Sequence, residues 1–340
     1  MLLTRRKFLS HLFGVAGGTA AGVGTESLFP SLKSSAETNA QTALANEAVA
    51  IPESVFKVAV ITDEIAQDFG HACEVASSAF GMRWVELREL WNKNILSLDA
   101  TEVAEAKRIL RNYGLRVTDI ASPLFKVDWP GAPLSKYSQR DEFNAGFTFA
   151  QQEEVLERAI ESAQLFATDR VRCFDFWRLE NQEPYRNAIN ERLRAAAEKA
   201  GGKGIILMLE NEESCNTSTG GEAAKVLAAV KVPTLMLNWD PANAAACGEK
   251  AYPDGYRQLP KERIGHCHCK DLMRRGREYE WKAMGQGIVD WVGQFQGLRR
   301  DGYRAAVSLE THWDGGGTAE QCSRKSWAGM KALLQKAGAL

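Results

Sequence analysis

Four runs decide the fold of this chain: GIILMLEN at 204–211, TLMLNWD at 234–240, RIGHCHCKD at 263–271 and AAVSLETH at 305–312. Each is a short apolar stretch of strand length that ends at or near a group able to bind a cation: Glu210, Asp240, His268 and Glu310. Side chains alternate along a strand. Counting back by twos from these residues reaches Met208 and Ile206, Asn238 and Met236, His266 and Ile264, then Ser308 and Ala306, so each cation-binding group shares a face with residues able to line a barrel. Three carboxylates and one imidazole, delivered by separate strand ends, form the ligand set of a divalent metal that keeps positions open for an oxygen-bearing substrate.

Four more strand-like runs precede these: KVAVITDE at 57–64, RWVELREL at 83–90, LRVTDIA at 115–121 and RVRCFDF at 170–176. Between the strands lie stretches such as TEVAEAKRILRNYG at 101–114 and QQEEVLERAIESAQLFA at 151–167, whose apolar residues recur at three- and four-residue spacing. Eight alternating strand–helix units imply parallel pairing, and their total length suits a single-domain α/β fold of the (β/α)8 TIM barrel type. A doubly wound open sheet would want a glycine-rich phosphate turn after its first strand. VAVITDEIAQDFG, at 58–70, contains none. The segment from Ser122 to Gly146 is long, carries Pro123, Trp129, Pro130 and Pro133, and is a candidate lid on the catalytic face.

The first 50 residues have a different character. Thr4-Arg5-Arg6-Lys7-Phe8-Leu9 precedes a weakly apolar Gly/Ala-rich stretch, then a Ser/Ala/Thr/Asn-rich segment. Residues 1–40 are expected to be a twin-arginine signal with the start of a linker, 41–55 the linker and 56–340 the barrel. Cleavage after Ala36 and cleavage after Ala40 each leave a small residue at the cut. The expected location is therefore the periplasm or beyond, with the twin-arginine export machinery as a transient partner and no membrane span in the mature chain. Losing residues 1–40 removes Arg5, Arg6, Lys7 and Lys33 against Glu26 and Glu37, moving the formal charge of −1 by two units to −3. So mildly acidic a chain is not built to bind nucleic acid. The seven cysteines form no CxxC pair, and Cys267 and Cys269 alternate with His266, His268 and Lys270, which suits buried thiols facing outer helices.

The residues Leu209-Glu210-Asn211, Asp240-Pro241-Ala242-Asn243, His268-Cys269-Lys270-Asp271, Gly285-Gln286-Gly287-Ile288-Val289-Asp290-Trp291 and Leu309-Glu310 resemble, in order and spacing, the xylose isomerase-like barrels, a superfamily of sugar phosphate isomerases and epimerases. The resemblance runs from about Phe56 to the C-terminus and includes Thr62-Asp63-Glu64 and Val85-Glu86-Leu87-Arg88. It implies that Glu210, Asp240, His268 and Glu310 bind one divalent metal and that Glu210 and Glu310 also form an acid–base pair on opposite faces of a bound sugar. A carbonyl and neighbouring hydroxyl chelated to the metal become more acidic at the adjacent carbon, where a carboxylate removes the proton. Returning the proton to the same side isomerises, and delivering it to the other side epimerises.

His266 shares a strand face with His268 and is an alternative ligand; the family motif places the metal histidine two residues before the lysine, which favours His268. Lys270, Asn243, Glu212, His266, Trp239 and Arg88 are candidates for substrate contact, with Arg178, Trp177 and Trp313 behind them. His312 belongs either beside the ligands or on the rim. Many relatives carry a histidine where this chain has Asn243, which argues against a second metal. The Gly285-Gln286-Gly287 turn lacks the following lysine and hydroxyl residue of a phosphate loop and reads as an ordinary turn. Mn²⁺ is the first-choice metal, with Mg²⁺, Co²⁺ and Zn²⁺ as alternatives. The expected function is an isomerase or epimerase acting on a small ketose or polyol-derived sugar through an enediol. The alternatives are a lyase or dehydratase acting on a keto-sugar or keto-glycoside, a non-catalytic sugar-binding module, and an endonuclease-type barrel, the last disfavoured by the few histidines.

Overall fold

In the computed structural model the described residues are 54–136, 138, 140, 146–276 and 278–340. The segment expected to be a twin-arginine signal, the expected linker up to residue 53 and part of the 122–146 segment lie outside them. Twelve strands and nine α-helices are assigned there. The strands are β1 (Lys57–Val60), β2 (Trp84–Leu87), β3 (Glu89–Leu90), β4 (Lys93–Asn94), β5 (Arg116–Leu124), β6 (Arg170–Cys173), β7 (Ile206–Glu210), β8 (Leu235–Trp239), β9 (Ile264–Cys269), β10 (Asp271–Arg275), β11 (Glu278–Lys282) and β12 (Ala306–Leu309). The helices are α1 (Phe69–Glu74), α2 (Ala100–Asn112), α3 (Gln152–Leu165), α4 (Arg186–Gly201), α5 (Gly220–Ala229), α6 (Pro241–Ala246), α7 (Tyr256–Gln258), α8 (Trp291–Arg300) and α9 (Ala319–Lys336).

Eight strands form one sheet in the order β1-β12-β9-β8-β7-β6-β5-β2, every pair parallel. A parallel bridge from Ile61 to Glu86 spans the remaining seam between β1 and β2, so the sheet is a nearly closed (β/α)8 barrel. Helices fill the connections because their apolar faces need the outside of the sheet. In α2, Ala106, Ile109 and Leu110 are buried, and Asp99 with Glu102 forms a capping box at its start.

The expected strands all form, with shifts at their ends. β1 stops at Val60, and Thr62–Glu64 turn into a 3-10 segment that aims the acids inward; β5 runs on through Ser122-Pro123-Leu124. Counting by twos along β9 fails at one place. The register slips between Leu237 and Asn238, pairing Ile264 with Leu237 and His266 with Asn238, so Gly265 is the extra residue and Ile264 joins the core beneath the helices. A Cβ on Gly265 would sit 2.6 Å from Met208 Sδ.

Two antiparallel hairpins, β3–β4 and β10–β11, were not expected from the sequence. The second follows directly on His268-Cys269-Lys270 and brings Trp281 to within 5.3 Å of the His312 ring and 5.2 Å of Lys270 Nζ. Its root is held by Asp271, whose carboxylate accepts from the backbone N–H groups of Gly285, Gly287 and Val289 at 3.0–3.3 Å. The approach is so close that a Cβ on Gly287 would lie 2.0 Å from Asp271 Oδ1. The Gly285-Gln286-Gly287 turn is thus a structural fastening for the loop after the hairpin. In the candidate lid, Ser135 donates to the Arg178 carbonyl at 2.8 Å and Trp129 packs edge-on against Phe176, so its described part is pinned to the loop after β6. Among the described residues no helix is long and apolar enough to cross a membrane.

Candidate metal centre

The ends of four neighbouring strands supply the quartet. Glu210 is the last residue of β7, Asp240 follows β8 and caps α6, His268 is the penultimate residue of β9, and Glu310 follows β12. Since β7, β8, β9 and β12 are consecutive around the barrel, one ligand atom from each converges, all within 4.8 Å of one another. All four side chains are buried. His268 Nδ1 lies 3.0 Å from Glu210 Oε1 and 3.2 Å from Glu310 Oε2. Asp240 spends Oδ1 on the Ala242 and Asn243 N–H groups at 2.8 and 2.9 Å, leaving Oδ2 for the site.

Buried cations surround the carboxylates. Lys270 Nζ lies 2.6 Å from Glu310 Oε2 and 2.8 Å from Asp240 Oδ2. Arg172 Nη1 is 3.3 Å from Glu210 Oε2. Arg88 holds Asp63 at 2.7 Å, Glu64 at 2.8 Å and Glu310 at 3.4 Å. These contacts set the charges. Burial opposes ionisation of Glu210, but the His268 and Arg172 cations outweigh it and pull its carboxyl down to about 2. Burial likewise opposes the charge on Glu310, and Lys270, His312 and His268 override it, holding that carboxyl well below the ordinary range. Asp240 goes the other way. Burial, reinforced by the charges of Glu310 and Glu210, exceeds the help from Lys270 and lifts it to about 6.

The donor set fits a divalent cation on four counts. Carboxylate and imidazole donors are the right chemistry, and they converge closely enough to share one ion. Glu210 Oε2 is buried and accepts no hydrogen bond. Buried acids also outnumber buried cations: Glu64, Glu86, Glu210, Asp240 and Glu310 face Arg88, Arg172 and Lys270, with His268 among them. A buried excess of negative charge is costly unless a cation answers it.

Of the candidate substrate contacts, Lys270 and Arg88 lie against the quartet as described. Asn243 sits one turn into α6, donating through Nδ2 to the Asn211 carbonyl at 2.9 Å, while its Oδ1 accepts nothing. Glu212 is beside them, accepting from Ser214 Oγ at 3.1 Å with Lys126 Nζ 4.0 Å away. His312 belongs to the site's edge, with Nδ1 3.0 Å from Glu64 Oε1 and Nε2 3.8 Å from Glu310 Oε1.

Five of the candidate contacts are engaged with other partners. Trp239 does not reach the mouth: neighbouring β8 residues alternate, so with Asp240 turned inward Trp239 turns out, fully buried, its Nε1 donating to Gln294 of α8 at 3.0 Å. His266 shares the inner face but lies deeper than the quartet and bonds to Glu86 at 3.0 Å. Arg178 is committed to Glu222 at 2.7 Å and to Ser218 Oγ at 2.9 Å. Trp177 packs with Phe174 and Cys215, and Trp313 with Ala283 and Cys322. Cys267 and Cys269 are buried, as expected. Sequence reasoning missed Glu86, Arg172 and Trp281. Glu86 had a usable signal, since it is the one charged residue inside β2, whereas Arg172 shares β6 with Arg170 and did not stand out.

The family described as xylose isomerase-like TIM barrel matches residues 74–333, and the chain belongs to it. No curated protein matches the chain. Among solved structures, the IolI protein with a bound zinc atom is 15% identical at a TM-score of 0.65, covering 84% of this chain and 100% of that one. A probable 3-DHS dehydratase, AsbF, from Bacillus anthracis is 20% identical at a TM-score of 0.60, covering 82% and 98%. D-allulose 3-epimerase from Methylomonas sp. in complex with D-allulose is 16% identical at a TM-score of 0.60, covering 85% and 99%. The chain spans 43% of a longer fusion protein that pairs a xylose isomerase-like barrel with a 4-hydroxyphenylpyruvate dioxygenase. At these identities the likeness is one of fold.

Proposed function

We propose that this protein is a metal-dependent isomerase or epimerase of a small ketose or polyol-derived sugar. The observation that carries the reading is the convergence of Glu210, Asp240, His268 and Glu310 at one end of the barrel, their ligand atoms within 4.8 Å of one another. A divalent cation held there, Mn²⁺ by preference, would polarise a sugar carbonyl and acidify the neighbouring C–H bond. Glu210 and Glu310 stand on the outer two of the four strands, β7 and β12, and so flank Asp240 and His268. That placement suits one carboxylate to each face of a bound sugar. Both are held ionised, ready to accept a proton. Lys270 would steady substrate oxygen, and Trp281 would offer a flat apolar face above it. The neighbour crystallised with D-allulose supports a small sugar as substrate.

One contact favours a second reading. A lyase or dehydratase needs an acid beside its base to protonate the departing oxygen, and Lys270 Nζ is 2.6 Å from Glu310 Oε2. After Glu310 took the proton next to the carbonyl, Lys270 would donate one to the leaving hydroxyl or glycosidic oxygen. Incubation with a panel of free ketoses, keto-sugars and keto-glycosides, followed by NMR, separates the readings. An isomer or epimer supports the first, a water-loss product or released aglycone supports the second, and binding without any product removes both.

Export through the twin-arginine pathway is also proposed, resting on Arg5-Arg6 followed by Phe8-Leu9 and the Gly/Ala-rich run. A Lys-Lys replacement at Arg5 and Arg6 is expected to abolish export, and unchanged export would refute the assignment.

A further inference from the structure

We propose that Glu86 is the positioning residue of the metal centre: its carboxylate accepts the Nε2–H of both His268 and His266, and so leaves Nδ1 of His268 as the nitrogen that meets the cation. This rests on the reading of the quartet as a cation site.

Glu86 comes from β2, at the other end of the strand order from β1, and reaches into the barrel interior to β9. Glu86 Oε1 lies 3.0 Å from His268 Nε2, and Oε2 lies 3.0 Å from His266 Nε2. All three side chains have no exposed surface. With one oxygen committed to each imidazole, the carboxylate is tied at both ends and cannot rotate without breaking one bond. A ring nitrogen that donates to a carboxylate holds its hydrogen, and the other nitrogen is then the one with a lone pair to give. For His268 that other nitrogen is Nδ1, 3.0 Å from Glu210 Oε1 and 3.2 Å from Glu310 Oε2, in the middle of the quartet. For His266 it is a buried Nδ1 with no hydrogen-bond partner. His266 therefore acts as the clamp on the far oxygen of Glu86, and His268 is the imidazole that this arrangement offers to the quartet.

The same three residues also bring ligand atoms within 4.8 Å of one another, which raises a second cation as the competing reading. It would have to take the Nε2 lone pair of His268. A neutral imidazole has one lone pair to give, so that ion and an ion in the quartet could not both use His268.

The test is Zn²⁺ affinity by chelator competition for the wild-type chain, Glu86→Gln and His266→Gln, with nitrogen-15 histidine NMR of the zinc-loaded proteins. A glutamine amide can accept from only one of the two Nε2–H groups, because its other end is a donor. Glu86→Gln is expected to lose about 10- to 100-fold in affinity, with an unchanged metal-free circular dichroism spectrum and altered His268 nitrogen signals. His266→Gln is expected to lose less than Glu86→Gln. In the loaded wild type, His268 should be ligated through Nδ1 and keep its Nε2–H, a result that stands even if Glu86→Gln fails to fold. Ligation through Nε2, or a Glu86→Gln chain with wild-type affinity and wild-type His268 signals, overturns the role of Glu86 alone. A wild-type chain that binds no Zn²⁺ overturns the cation site and this role together.

Discussion

Lys270 Nζ lies 2.6 Å from Glu310 Oε2, with both side chains buried in the mouth of the barrel. The contact gives one carboxylate two duties, since the oxygen that faces the ammonium also stands 3.2 Å from His268 Nδ1. The ion pair keeps Glu310 charged, and any proton it takes from a substrate arrives beside a second acid.

Replacing Glu310 by Gln should therefore leave a folded chain that turns over poorly. The amide still offers an oxygen to a cation but no longer accepts a proton, and general acid–base contributions are typically 10²- to 10⁴-fold. The expected result is a fall in kcat of about that size with KM little changed, measured by steady-state kinetics on the best sugar of the panel. Retained turnover would remove Glu310 from proton transfer.

Asp240 has two jobs that substitution can separate. Its Oδ1 caps α6, and its Oδ2 faces the site. Asp240→Asn keeps the cap and loses the charge, so cation affinity should fall with little change in thermal stability. Asp240→Ala loses both and should cost a further 0.5–2 kcal/mol or about that in unfolding free energy. Equal stability of the two variants would contradict the capping role.

Cation affinity should depend on pH with a break near the carboxyl of Asp240. Burial and the charges of Glu310 and Glu210 lift that group to about 6. His268, despite burial, is held protonated well above the usual imidazole range by Glu86, Glu210 and Glu310. A cation needs the ionised carboxylate and the bare Nδ1, so both protons must leave when it binds. Above about pH 6 only His268 has a proton to release, and affinity should rise by about one decade per pH unit. Below it Asp240 adds a second proton, and the slope should approach about two decades per unit. Titration calorimetry across pH 5–8 in roughly half-unit steps reads both limbs. A flat profile would show that neither group is protonated in the metal-free protein.

The two tryptophans should behave oppositely. Trp239→Phe strands the buried Gln294 amide and is expected to cost about 1–3 kcal/mol of stability without moving KM. Trp281→Ala removes the face near Lys270 and His312 and should raise KM roughly two- to twelve-fold, the equivalent of an aromatic contact worth about 0.5–1.5 kcal/mol. A KM effect from Trp239 would mean that β8 presents the opposite face.

Strand alternation made most of the barrel readable, because a ligand and the residues two and four before it share a face whatever the surrounding sequence. It placed Glu210, Asp240, His268 and Glu310 correctly on neighbouring strands. The same rule puts Trp239 outside, and expecting it at the mouth gave its closeness to Asp240 in sequence too much weight. Alternation also failed at Gly265, where one extra residue turns Ile264 away from His266. Nothing local marks such a bulge beyond the glycine itself. Glu86 was visible as a charge inside an apolar strand, but its role was out of reach for another reason. Its role consists of hydrogen bonds to residues 180 and 182 positions away, which exist only once the barrel has closed. The β10–β11 hairpin was hidden because its polar, aromatic-bearing strands have no periodic core face, being covered mainly by α6 and by each other.

The most direct test of the central claim is solvent hydrogen exchange into a bound sugar. The metal-loaded wild-type chain is incubated with the ketose panel in deuterated water, and carbon-bound deuterium is read by NMR. The account predicts deuterium at the carbon beside the carbonyl of at least one sugar, lost on chelation of the metal and lost again in Glu310→Gln. A metal-loaded chain that binds a sugar and exchanges no carbon-bound hydrogen would contradict it.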